Sequence, residues 1–60
     1  MDNQQMSDMD KFLNLLTEIG QTFDNSQTLD GYDIECISEK CNICIEFDES
    51  KKFKRIVPMI

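Results

Sequence analysis

Between Tyr32 and Phe47 apolar and polar side chains alternate with a period of two. Tyr32, Ile34 and Cys36 interleave with Asp33, Glu35 and Ile37. Further on, Ile43, Ile45 and Phe47 interleave with Asn42, Cys44 and Glu46. A period of two marks a β-strand buried on one side. Pairing Cys36 with Ile43 sets Ile34 against Ile45 and Tyr32 against Phe47, which gathers six apolar groups on one face. The turn then falls at Ser38–Cys41. A second turn over residues 48–52 leads to a third strand, Phe53 to Val57. Pro58 follows it; lacking an amide donor, it suits an edge strand or a strand end.

Ahead of the hairpin, residues 7–20 read as one helix. Ser7 is a good N-cap, and Asp10 three residues later forms a capping-box-like pair with it. Asp8 and Asp10 place negative charge at the positive end of the helix dipole. Met9, Phe12, Leu13, Leu16 and Ile19 recur at the spacing of one buried face, widened by Leu15. Gly20 suits the left-handed residue after the helix. Residues 21–31 form a polar connection with Phe23 and Leu29 as candidate anchors, and residues 1–6 read as a disordered leader. The expected fold is α+β: residues 7–60 form a single domain, with one N-terminal helix packed on a three-stranded antiparallel β-meander.

With 60 residues the core is small, and chains of this size usually need a staple or a partner. Charged residues are 30% and hydrophobic residues 40% of the chain, the balance of a soluble folded domain. No apolar run approaches the ~20 residues of a membrane span. The first ten residues have no basic or apolar signal-peptide region, so a cytoplasmic setting is expected. There, cysteines are normally free thiols. Residues 1–50 hold all twelve acids and two of the six basic residues, a net −10. Lys51, Lys52, Lys54 and Arg55 give +4 to residues 51–60. An acidic body repels phosphates, so direct nucleic-acid binding is not expected. Solubility alone accounts for such a charge; a basic protein partner or mimicry of nucleic acid also fits it.

All three cysteines fall in the spacing C-x4-C-x2-C, at Cys36, Cys41 and Cys44. That spacing matches part of a plant-type ferredoxin run, but the further cysteine such a run needs is missing. The hairpin register sends Cys36 toward the helix and Cys44 to the other face, so their sulfurs cannot converge on one ion within about 2.3 Å. No metal and no cofactor are expected, and Cys36 reads as a small buried hydrophobe. An odd count in a reducing compartment argues against a disulfide. The chain has no histidine to serve as base for a nucleophile. It also has no Gly-rich phosphate loop, and its core can hardly enclose a pocket. No catalytic residue is assigned, and the protein is not expected to be an enzyme.

Phe12, Leu13, Leu15, Leu16, Ile19 and Gly20 form an "FLxLLxxIG" stretch, and Phe47, Asp48, Lys52 and Phe53 a closing hairpin near F-D-x-x-x-K-F. This pattern resembles a family of very small phage and mobile-element α+β proteins. The match covers about two-thirds of the chain and is mostly structural in character. One departure is Ser50-Lys51, where such a turn favours Asn-Gly. The resemblance implies a protein of the host-cell cytoplasm that acts by binding a host protein. An anti-defence inhibitor, such as one opposing a Hachiman system, is its most specific form.

The leading functional expectation is therefore inhibition of a host antiviral-defence protein by surface occlusion. The alternatives are a nucleic-acid mimic presenting Asp24, Asp30, Asp33, Glu35, Glu46 and Asp48, a structural accessory protein, and a cysteine-based metal module. The basic stretch 51–55 breaks the single-sign field that a mimic would use. A homodimer is also expected. One helix covers one sheet face, leaving an outer strip of Ile37, Cys44 and Ile56 beside Lys54 and Arg55 as the candidate interface. A one-residue slip of the last strand would exchange Ile56 for Val57.

Overall fold

The computed structural model describes residues 6–39 and 42–59. The order is α1 (Asp8–Glu18), β1 (Phe23–Thr28), β2 (Gly31–Ile37), β3 (Asn42–Phe47) and β4 (Phe53–Pro58). The strands form one antiparallel sheet in the order β1-β2-β3-β4. The fold is α+β as expected, but the meander has four strands, not three. The additional strand is β1, cut from the connection 21–31. Its sequence, FDNSQT, has only Phe23 to bury, and every later residue is exposed. The ladder to β2 holds it rather than an apolar face, so hydrophobic period could not reveal it. The leader lies outside the described residues except for Met6, and so do Lys40, Cys41 and Ile60.

The β2–β3 register is the expected one: Tyr32 opposes Phe47, Ile34 opposes Ile45, and Cys36 opposes Ile43. Ile34, Cys36, Ile45 and Phe47 are fully buried beneath Met9 and Leu16 of the helix. Phe12 sits edge-to-face on Phe47 at 5.6 Å and stacks on Phe53 at 5.8 Å. Burying each large apolar side chain contributes about 1.5–3 kcal/mol.

The helix starts and stops as its sequence dictates. Ser7 Oγ accepts from Asp10 N–H and Asp10 Oδ2 from Ser7 N–H, a complete capping box. Gly20 lies at φ +74°, the left-handed residue past the C-cap Ile19. Two residues depart from the expected buried face. Ile19, expected on the buried face, is 64% exposed, because the helix ends at Glu18 before turning it inward. Leu15 is half exposed. In the connection, Phe23 packs on the core as an anchor, but Leu29 is fully exposed at the tip of the β1–β2 turn.

Two polar contacts fix the helix on the sheet. Asp8 Oδ2 accepts the Phe53 N–H at 2.8 Å, and Met9 N–H donates to the Lys51 carbonyl at 3.1 Å. Lys51 takes the left-handed φ of 66° that a glycine would normally supply. Asp48 holds that turn by accepting from the Ser50 and Lys52 amides at 2.8 and 2.9 Å. The Lys52 amide chiefly, with the Ser50 amide and nearby lysine charge, keeps the Asp48 carboxyl below its ordinary value.

Two substitutions check this packing. Leu16→Ala should destabilise by about 2–5 kcal/mol in urea titration, a large part of the stability of so small a domain. Gly31→Ala should also destabilise, because a Cβ there would collide with the Phe47 carbonyl. A Gly31→Ala protein with an unchanged urea midpoint would show that β2 does not approach β3 this closely.

Candidate functional site

The face of the sheet opposite the helix is built by the odd–even alternation of the strands. Cross-strand partners share a face, so the ladder Asp24–Glu35–Cys44–Val57 and the ladder Ser26–Asp33–Glu46–Arg55 run side by side across it. Four carboxylates, those of Asp24, Asp33, Glu35 and Glu46, therefore lie on one surface. Asp24 is directly opposite Glu35, and Asp33 directly opposite Glu46. Like charges in directly opposed positions destabilise a sheet, by roughly the 0.2–1 kcal/mol that opposite charges contribute. Arg55 offsets part of this: its Nε donates to Glu46 Oε1 at 2.7 Å. Ser26 Oγ donates to Asp33 Oδ1 at 3.0 Å.

The array differs in detail from the six acids expected of a mimic. Asp30 sits in the β1–β2 turn beside Thr28, and Asp48 is engaged by the β3–β4 turn. The basic stretch does not run across this face. Arg55 lies on it and Lys54, at the β4 bulge, lines the cleft beside Asp33 and Glu46, while Lys51 Nζ stands 5.3 Å from the centre of the Tyr32 ring on the helix side.

The expected interface residues separate. Ile37 and Cys44 lie on the outer face, Ile37 half exposed and Cys44 buried. The register sets Val57 against Cys44 and Ile56 against Ile45, so Ile56 belongs to the helix side. A bulge between Glu46 and Phe47 places Lys54 at the irregularity, which is what shifts the strand. The outer strip is thus Ile37, Cys44 and Val57, crossed by Glu35. Other exposed apolar groups, Leu15 and Ile19 in and after the helix and Phe53 and Ile56 on β4, are on the helix side. Phe12 of α1 stacks on Phe53 of β4 there.

Cys36 and Cys44 point to opposite faces and cannot share an ion. Cys44, Asp33 and Glu35 do bring donor atoms within 4.8 Å of one another. The Cys44 thiol donates to Asp33 Oδ2 at 3.8 Å, and burial, with the Asp33, Glu46 and Glu35 charges around it, pushes its pKa up to about 11. The sulfur is a protonated, unreactive thiol at neutral pH. An open cleft of about 240 Å³ lies at the sheet end between Asp30, Asp33, Glu46, Lys54 and Arg55. No helix among the described residues is long and apolar enough to cross a membrane.

The raised thiol pKa sets an alkaline signature. The folded state holds the Cys44 proton above pH 9, where the unfolded chain releases it, so stability falls as pH rises from 9 toward 11. Urea midpoints across that window should fall more steeply for the wild type than for Cys44→Ala. Parallel curves would place the thiol elsewhere.

No family model, curated protein or solved structure matches this chain, so the likeness to small phage proteins rests on the residues quoted for it.

Proposed function

We propose that the chain is a small acidic binding protein that inhibits a host antiviral-defence protein by covering a basic surface on it. The observation that carries this reading is the set of four carboxylates on the outer sheet face, two of them directly opposed to the other two. The arrangement opposes folding and favours any partner that brings cationic groups to the face. Electrostatic complementarity of this kind speeds encounter and selects the partner by sign. The binding is a matter of surface, with no bond made or broken by this chain, and its setting is the cytoplasm of the host cell.

A nucleic-acid mimic is the second reading. The placement of Lys51 off the outer face favours it, since the single-sign field is less interrupted than the sequence suggested. A homodimer fits the helix-side groups Leu15, Ile19, Phe53 and Ile56 better than the outer strip, where a two-fold axis would set carboxylates against carboxylates.

Neutralising Asp24 and Glu35 together, as Asp24→Asn with Glu35→Gln, should leave stability unchanged or raise it by up to about 1 kcal/mol. The same pair should lose capture of the bacterial target from lysate at physiological salt, and wild-type capture should weaken as salt rises. Undiminished capture by the double variant would reject the acidic face as the binding surface. If DNA competes with the captured protein, the mimic reading gains.

A further inference from the structure

The two edges of the sheet are protected to different degrees. Along β4, Lys54 sits at a bulge and Pro58 lacks a donor. Bulges, lysine and proline are the usual means of blunting an edge against strand pairing. Along β1 there is no proline, no lysine and no register shift.

The ladder also fixes which β1 groups face outward. Met59 N–H donates to the Asn42 carbonyl, so the neighbouring pair Ile43–Pro58 does not exchange hydrogen bonds. Alternation then makes Cys44–Val57 a bonded pair, and, crossing the sheet, Ile45–Ile34 and Glu35–Asp24. Asp24, Ser26 and Thr28 turn their main-chain groups toward β2. Phe23, Asn25 and Gln27 turn theirs toward the outer edge, where no strand among the described residues pairs with β1.

Charge selects what can occupy that edge. The outer side of β1 carries Asp24, and beside it lie Glu35 and Asp33. A second copy pairing through β1 would bring another set of these acids alongside. The β4 edge of a second copy is the blunted one. We propose that β1 is a docking edge for an extended basic segment of the partner protein, added as a fifth strand. Its alternate Lys or Arg side chains fall on the acidic face, and its main chain takes up the Asn25 and Gln27 amides and carbonyls. This inference rests on the acidic-face reading and adds the mode of contact.

The test uses a blocked peptide alternating threonine and lysine, seven residues long, titrated into the protein and followed by amide chemical shifts. The expected result is that the amides of Phe23, Asn25 and Gln27 shift most. Replacing the central threonine of the peptide by proline should weaken binding by about tenfold. A threonine–glutamate peptide should not bind. Asn25→Pro removes an outward donor without touching the β2 ladder, so the protein should fold and lose the peptide by a similar factor. Gln27→Pro offers the same test if Asn25→Pro does not fold. Equal binding of the lysine peptide and its proline form would overturn strand addition while leaving the acidic surface in place. So would shifts confined to Asp33 and Glu46. Absence of peptide binding, or a β1 edge already paired in a dimer, would also overturn it. The lysate capture by the Asp24→Asn, Glu35→Gln variant separately decides the surface itself.

Discussion

Ile34 faces Ile45 across the β2–β3 ladder, and the rest of the molecule is arranged around that pair. Because side chains alternate with a period of two, a slip of one residue would expose Tyr32, Ile34 and Cys36 together. It would also bury Asp33 and Glu35. Burial of charge without partners is far too costly for a domain of this size. The same register that assembles the core beneath Met9 and Leu16 therefore assembles the carboxylates on the other face. Core and candidate site are two consequences of one pairing.

That pairing was legible in the sequence because both of its strands carry apolar groups at every second position. The helix was legible for the same kind of reason, with Ser7, Asp10 and Gly20 marking its ends. β1 was not, since residues 24–28 are polar on both sides and are held by main-chain bonds that any sequence can make. The signal nearest to hand was local: Thr28 and Gly31 close a two-residue turn, and only glycine at 31 leaves room for the Phe47 carbonyl. The side of the sheet taken by Ile56 was hidden by the bulge at Glu46–Phe47, which moves β4 by one residue. The acids could be counted from sequence, but without β1 the pairing of Asp24 with Glu35 could not be seen. Nor could the release of Asp48 to the β3–β4 turn.

The helix contributes more than a lid. Asp8 and Met9 bind the main chain of Lys51 and Phe53, so the capping end of α1 and the β3–β4 turn hold each other. Both outer strands bury little, each with one half-buried side chain, but β4 has this tie to the helix at its start and β1 does not. Strands with little burial open most easily, and a sheet edge that is both open and acidic is suited to a basic strand from elsewhere.

Native-state amide hydrogen exchange, resolved by residue at dilute concentration, tests this account most directly. The account predicts that the Ile34 and Ile45 amides, bonded to each other's carbonyls, exchange slowest, near the rate of global unfolding. It predicts that Asn25 and Gln27 exchange close to unstructured rates while Asp24 and Ser26, their neighbours in β1, are protected. Slow exchange at Asn25 in the free protein, or fast exchange at Ile34, would contradict it.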